Sequence, residues 1–505
     1  MKKIIVKVNP WQTKVAILRD GELQNIYFSS PVTQPLERSF FKGIVNKVLP
    51  GIQTAFVDIG QEKAGFLHIS EIDRELALQR MSQTVEVEEI PGKTTREERS
   101  PTLNISKILK EGEAILVQVS KEPVYEKGAK LTTCFTLPGR FIVLMPNIPR
   151  IAISKKIEDR DERNRLKELL ISNLPDGMGA IIRTTSEGKS DREILRDLKY
   201  SVTTWNTILK RYQAAQPQEK IYEDLPIPLR IVRDHLDEDV EDIIIDNKHE
   251  QAEIYKFVKT IAPEFTQRVH YYSGPEDIFE RLGVNKQIEE ALSIKVNLKS
   301  GGSIIIEQTQ AMTVIDVNTG KYIGKADLEE TILKTNLEAA EEVVRQLRLR
   351  NIGGLIVIDF IDMATAANRQ KLLKFFEKTL KERDKFQSVL LKVSEFGLLQ
   401  MTRKRSGKTL LQELMDTCIK CHGLGVVKSL QTQCYTLLAK IKKELEKHKN
   451  KAVIISLNPN MFEYITTVEY NSIFALEKEF NTKITLASDD SLGIINYKIE
   501  NIRSS

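Results

Sequence analysis

Two short apolar runs in the chain each end in an aspartate: Met312-Thr-Val-Ile-Asp316-Val-Asn318 and Gly354-Leu-Ile-Val-Ile-Asp359. A run that buries itself and finishes on a carboxylate leaves a negative charge at the rim of a core, where a cation or hydrogen-bond donors must neutralise it. Side chains alternate along an extended segment, so Asp316 and Asn318 leave from one face. If the two runs are parallel neighbours, the crossover rule carries Asp316 and Asp359 to one edge of the sheet. Two carboxylates and an amide, with no His or Cys among them, are hard oxygen donors of the kind that suit Mg²⁺ or Mn²⁺, ions that keep waters and meet substrate phosphates. One strand-terminal aspartate alone is more simply a cap on the next helix. The pair together with Asn318 favours the metal site.

A second constellation is Cys418-Ile-Lys-Cys421-His-Gly-Leu-Gly425, a tight loop of zinc-knuckle form with Gly423 and Gly425 at the turn. A structural zinc takes four ligands, and Cys134 and Cys434 lie in segments without such a loop. The simplest completion is a second copy of the chain supplying its own Cys418 and Cys421 across a two-fold axis, which implies a homodimer. A redox CxxC would instead open a helix in a thioredoxin-like βαβ pattern, and this motif sits in a glycine-bearing link. Gly188-Lys189-Ser190 has the ending of a P-loop, but Arg183 stands where the first glycine is required.

The elements that must position these groups are legible in outline. Asp327 to Arg350 carries Leu328, Ile332, Leu337, Ala340, Val344 and Leu347 at helical spacing, and Gly353-Gly354 is expected to stop the helix before the second run. Residues 1–35 read as a hairpin around Asp20-Gly21. Gly43 to Gly51, Thr54 to Gly60, Lys63 to His68 and Ala114 to Val119 read as strands of a small OB-type barrel of the S1 class, on which Phe56 and Phe66 offer stacking platforms for unpaired bases and Lys121 reaches a phosphate. Gln83 to Thr102, charged and holding Pro91-Gly92, is expected to be a mobile loop. Further strands are expected at Leu131 to Phe135, Phe141 to Met145, Gly179 to Thr184, Pro226 to Val232 and Asp242 to Ile245. Helices are expected at Glu158 to Ser172, after the capping box Ser190-Asp-Arg-Glu193, at His249 to Ile261 and at Pro275 to Leu282. A last αβ segment begins near Val427.

At 505 residues the chain is too long for one core and should form roughly three to five domains or subdomains. Lys and Arg number 75 against 70 acids, so a net charge of +5 does not by itself argue for nucleic acid. Four cysteines exclude a disulfide scaffold and fit a reducing compartment. No run approaches the roughly eighteen apolar residues of a membrane span, and the start is not a signal peptide, so the expectation is a cytoplasmic protein. The basic runs Thr402 to Lys408 and Lys440 to Lys451 read most simply as solvated faces.

With these features placed, the chain resembles the ribonuclease E/G family over essentially its full length, and within it the ribonuclease G branch, which lacks a long disordered tail. The resemblance rests on Asp316-Val-Asn-Thr-Gly320, Thr335-Asn-Leu-Glu-Ala-Ala-Glu341, Arg345-Gln-Leu-Arg-Leu-Arg350, Gly353-Gly-Leu-Ile-Val-Ile-Asp-Phe-Ile-Asp-Met363 and Phe396-Gly-Leu-Leu-Gln-Met-Thr-Arg403. It departs at Ile419, where the family's zinc loop has proline. The resemblance implies a multidomain α+β protein: an RNase H-like domain (1–35 and 226–292) interrupted by an S1 OB-fold domain (36–125) and a 5′-sensor domain (126–225), then a DNase I-like catalytic domain (293–413), a zinc link (414–427) and a small C-terminal domain (428–505). It also implies Mg²⁺ on Asp316 and Asp359 with Asn318 orienting the site, and Asp362 bracing the following helix. A 5′-monophosphate would be sensed by Gly128, Arg183 and Thr184, and the RNA backbone contacted by Arg403 and Arg405. The implied reaction is hydrolysis of single-stranded RNA to 5′-phosphate and 3′-hydroxyl ends in rRNA maturation and mRNA decay, by a homodimer whose further assembly is open. The competing class is a non-catalytic RNA-binding or assembly factor, from which the complete set Asp316, Asn318 and Asp359 argues away.

Overall fold

The computed structural model describes residues 1–30, 35–72, 85–88, 105–123, 128–319, 328–392, 394, 397–405, 407–448 and 452–501. These form two compact units, Met1–Leu411 and Gln412–Ser505. Among the described residues no helix is long and apolar enough to cross a membrane.

Among the described residues the first unit holds four sheets. Three N-terminal antiparallel strands, Lys2–Asn9, Gln12–Arg19 and Glu22–Ser29, continue through parallel pairing of Lys2–Asn9 with Val240–Ile245 and then Val269–Tyr271, so the two ends of a long interruption share one sheet. Its core includes Ile4, Val15, Ile17, Ile243 and Ile254. The segment expected as a strand at Pro226 to Val232 is instead the helix Ile227–His235. Pro226 and Pro228 cannot donate to a ladder but are at home at a helix start, and Ile231, Val232 and Leu236 then bury one face.

Inside the interruption, Phe40–Leu49, Thr54–Asp58, Gly65–His68, Lys130–Thr132 and Ala114–Lys121 close into a barrel, because the first strand pairs with the last. Lys220–Tyr222 adds a strand outside that ring. A bulky branched filling, Val45, Val57, Leu67, Val117 and Leu131, occupies its interior. The neighbouring sheet contains Ile142–Met145, Gly179–Ile182 and Ile151–Ser154 under the helices Arg160–Asn173 and Asp191–Ala214. The second of these helices opens with the expected capping box at Ser190 and Glu193. Val85–Glu88, read above as part of a mobile loop, is an edge strand antiparallel to Ile151–Ser154. The Val-Glu-Val-Glu alternation is a period-two signal that the charge density of the surrounding segment concealed. The rest of that segment lies outside the described residues.

The six-stranded sheet that carries both aspartate-ended runs is built from β1 (Lys295–Asn297), β2 (Ser303–Gln308), β3 (Met312–Asn318), β4 (Gly354–Asp359), β5 (Ser388–Leu390) and β6 (Leu398–Arg403), in the order β1-β2-β3-β4-β6-β5. Helix α1 (Leu328–Leu349) joins β3 to β4 and α2 (Ala366–Arg383) follows β4. Ala339, Ala340, Val343, Val344 and Leu347 of α1 bury against Ile315, Ile356 and Ile358. Helix α1 ends through Asn351, whose φ of 50° supplies the left-handed turn that the sequence suggested for Gly353-Gly354. Those glycines are needed for another reason. A Cβ on Gly354 would lie 2.7 Å from Nε of Arg405, which crosses the strand start. Arg345 and Arg348 of α1 reach Leu23 and Asn25 of the N-terminal sheet and dock the two sheets together.

The second unit carries a three-stranded sheet, Val453–Leu457 between parallel Ile484–Ser488 and antiparallel Tyr497–Asn501, with helices Leu430–Leu445, Pro459–Thr467 and Tyr470–Phe480.

Candidate active site

β3 and β4 are parallel neighbours, and Asp316 stands directly opposite Asp359 in their register. Opposed residues on adjacent strands put their side chains on one face about 5 Å apart. The crossover through α1 thus brings together two carboxylates that lie far apart along the chain. Asn318 joins them, its Nδ2 donating to Oδ2 of Asp316 at 2.6 Å. The site is electrostatically loaded: the Asp359 carboxyl is held above the usual carboxylate range by partial burial, then by the Asp316 and Asp362 charges. An excess of negative oxygen donors, with no cation among the described residues acting on Asp359, suits a hard divalent ion. Among the described residues no third His, Cys, Asp or Glu completes a cluster. Two protein carboxylates fit Mg²⁺, which keeps most of its waters.

Asp362 does not brace the helix that follows. That N-terminus is capped by Thr365, which accepts from Asn368 N, and by Glu329, which accepts from the Ala364 and Thr365 amides. The Asp362 charge is near enough to act on the Asp359 carboxyl.

On the barrel, Phe56 and Phe66 are directly opposed cross-strand partners, both half-buried, between buried neighbours Ala55, Val57 and Leu67. Half-burial leaves part of each ring available for stacking. Lys121 is exposed at the end of its strand, past an irregularity in the pairing with Lys130–Thr132, the strand that in turn pairs with Phe66. The three residues therefore occupy one contiguous part of the barrel wall.

Arg183 and Thr184 follow directly on Gly179–Ile182. Arg183 Nη1 donates to the Gly139 carbonyl at 2.6 Å and to Oδ1 of Asp234 at 2.8 Å. Thr184 Oγ shares a hydrogen bond with Ser154 Oγ. Asp234 sits well below the usual carboxylate range despite its burial, because the Arg233 and Arg183 guanidiniums flank it. Sequence reasoning missed this partner, which lies on the helix misread as a strand. A Cβ on Gly128 would fall 1.9 Å from the Ala64 carbonyl oxygen, so packing against the barrel demands glycine there.

The expected RNA contact at Arg403 is not a surface group. It is 2% exposed, and its Nε and Nη2 engage Asp384 while Nη1 donates to the Ile352 carbonyl at 2.6 Å. A guanidinium so enclosed holds the sheet together and lies out of a substrate's reach. Basic neighbours in Thr402 to Lys408 disguised it, but strand alternation turns Arg403 inward between exposed Thr402 and Lys404, and Arg405 is exposed because the strand ends at Arg403.

Comparison with known proteins settles the relationship. The ribonuclease E/G family model matches residues 136–406, and a ribonuclease G of Haemophilus influenzae is 38% identical over 93% of both chains. The chain belongs to the ribonuclease E/G family. Ribonuclease G of Escherichia coli K12 is 36% identical over 94% of both chains, and ribonuclease E of Haemophilus influenzae is 34% identical along this whole chain but over only 52% of its own length. Membership in the ribonuclease E/G family makes the protein an endoribonuclease.

A second model of the ribonuclease E/G family, its thioredoxin-like domain, matches residues 417–502. The helix Leu430–Leu445 starts from its N-cap Ser429, well after Cys421, so Cys418 and Cys421 precede it instead of opening it. In the link, Cys418 is exposed and Cys421 half-buried. The His422 amide donates to the Cys418 carbonyl, and His422, Gly423 and Gly425 all have positive φ. The Cys418 thiol lies below its ordinary value because the Cys421 and Lys420 amides hydrogen-bond its sulfur, with the Cys421 thiol adding to them. Amides aimed at sulfur favour a thiolate, the form that binds metal. One chain presents two such ligands.

Proposed function

We propose that this enzyme is a Mg²⁺-dependent endoribonuclease of single-stranded RNA, leaving 5′-phosphate and 3′-hydroxyl ends, stimulated by a 5′-monophosphate and acting in cytoplasmic rRNA maturation and mRNA decay as a zinc-linked homodimer. The observation that carries the reading is the register pairing of Asp316 with Asp359. These two carboxylates would hold the ion, and Asn318 fixes the Asp316 rotamer through its 2.6 Å bond. When bound, Mg²⁺ supplies a Lewis acid for the scissile phosphate and lowers the pKa of a coordinated water.

The remaining roles follow from what each side chain can reach. Phe56 and Phe66 stack unpaired bases, Lys121 takes a backbone phosphate, and the exposed Arg405 adds a second cation. At Arg183 the bonds to Gly139 and Asp234 both use Nη1, so among the described residues Nε and Nη2 are left to grip a terminal phosphate with Thr184 and the backbone of Gly128. A terminal phosphate carries more charge than an internal diester and gains more from a guanidinium. Cys418 and Cys421 would contribute half of a tetrahedral zinc site, completed by a second copy.

One unstructured oligoribonucleotide prepared with 5′-monophosphate, 5′-triphosphate and 5′-hydroxyl ends, incubated with and without Mg²⁺, tests the reading. Cleavage should require Mg²⁺ and run fastest on the monophosphate. Cutting at full rate in EDTA, or binding with no cutting in any arm, contradicts it, the second result pointing to the non-catalytic binding class.

A further inference from the structure

We propose that Asn336 is a positioning residue of the catalytic centre, a buried amide on α1 that acts as the next rung of the β4 ladder and holds the backbone between Asp359 and Asp362. The inference rests on the metal reading of Asp316 and Asp359.

Asn336 lies within α1 and is 0% exposed. Asparagine is a poor choice inside a helix, and a buried amide is costly unless both its ends are satisfied. Here both ends meet one residue: Nδ2 donates to the Ile361 carbonyl at 2.8 Å and Oδ1 accepts from the Ile361 amide at 3.1 Å. That two-way exchange is the pattern of a strand pair. Among the described residues β4 has no strand left to make it, because its ladders end at Asp359, opposite Asp316 on one side and Leu398 on the other. The side chain therefore replaces a missing strand and keeps the chain fixed past Asp359. Phe360 and Met363 stay in the core, and Asp362 is kept near Asp359.

The adjacent residue on α1 braces the other half of the site. A Cβ on Gly302 would fall 2.8 Å from the Asn318 carbonyl oxygen and 3.2 Å from the Thr335 methyl, so Thr335 packs where β2 meets the end of β3. Two consecutive residues of one helix thus fix both carboxylate-bearing strand ends. Groups that orient metal ligands from behind typically change metal affinity or activity about 10–100-fold when removed.

The test uses the full chain with Asn336→Asp, which keeps the acceptor for the Ile361 amide but sets an anion against its carbonyl, and Asn336→Ala. Gly302→Ala, which presses on the same brace without touching Asn336, serves should either fail to fold. Manganese binding is read by electron paramagnetic resonance, Mg²⁺ half-saturation and KM for RNA by kinetics, and folding by thermal melting. The expected result is a metal midpoint raised about tenfold or more and a lower kcat, with KM for RNA within twofold. A lower melting temperature with unchanged manganese affinity and Mg²⁺ midpoint overturns the proposal and leaves Asn336 a structural brace. A parent protein with no manganese site that Asp316→Asn abolishes overturns the metal reading itself, and this inference with it.

Discussion

Arg403 and Asp384 form a two-point ion pair in the protein interior, with Nε 2.6 Å from Oδ2 and Nη2 3.1 Å from Oδ1. Removing one member strands the other charge in a low dielectric, so Arg403→Leu should cost about 3–5 kcal/mol of stability. Adding Asp384→Leu should restore much of it, and the folded single variant should bind RNA within twofold of the parent. Urea unfolding and filter binding check both statements. A stable Arg403→Leu that binds RNA weakly would return this residue to the RNA surface.

Asp316→Asn and Asp359→Asn each remove one of two opposed carboxylates. Cleavage should fall by about a hundredfold or more. RNA affinity in the absence of Mg²⁺ should stay within twofold, because the barrel is untouched. Single-turnover kinetics with gel-shift titration measure the two effects separately.

The raised Asp359 carboxyl has a consequence for stability with a definite sign. A carboxyl that ionises less readily folded than unfolded subtracts stability as pH rises through the unfolded value, and the loss persists at neutral pH. Asp359→Asn should therefore melt slightly above the parent at pH 7 in EDTA. That advantage should fade as pH falls below the ordinary aspartate value of about 3.9, where Asp359 takes up its proton in the folded and the unfolded chain alike. Mg²⁺ should reverse the order at pH 7 by binding the folded parent. Calorimetry at the two pH values, with and without the ion, tests this.

Phe56→Ala and Phe66→Ala should each weaken binding of an unstructured oligoribonucleotide by about 1–3 kcal/mol, the usual worth of one stacked base. Since the rings are half-buried surface groups, kcat at saturating RNA should hardly change. A fall in kcat with unchanged affinity would place them outside the binding face.

Cys418→Ala with Cys421→Ala should remove bound zinc and halve the mass measured by light scattering, while the parent carries one zinc per two chains. A parent with one zinc per chain, or a variant of unchanged mass, contradicts the shared site.

The local grammar of the chain was readable from its residues: the aspartate-ended runs, the 3.6-residue spacing of the helix between them, the capping box at Ser190 and Glu193, and the short barrel strands. Each depends on neighbours a few residues away. The readings that failed were those in which local chemistry has two outcomes. Pro226-Ile-Pro228 suits an edge or a helix start, and only packing of Ile231 and Val232 chose the helix. Val85-Glu-Val-Glu88 became a strand because Ile151–Ser154 offered a free edge. Arg403 could be identified as a core ion only when Asp384 was seen to face it.

By itself the sequence determined that two carboxylates end two buried strands and that an amide accompanies one of them, since alternation and hydrophobic periodicity act over short range. Tertiary structure alone decided that Asp316 opposes Asp359, that Asp234 holds Arg183 and that Asn336 completes the end of β4. Those pairings join residues distant along the chain, and which groups meet is set by sheet order and helix packing.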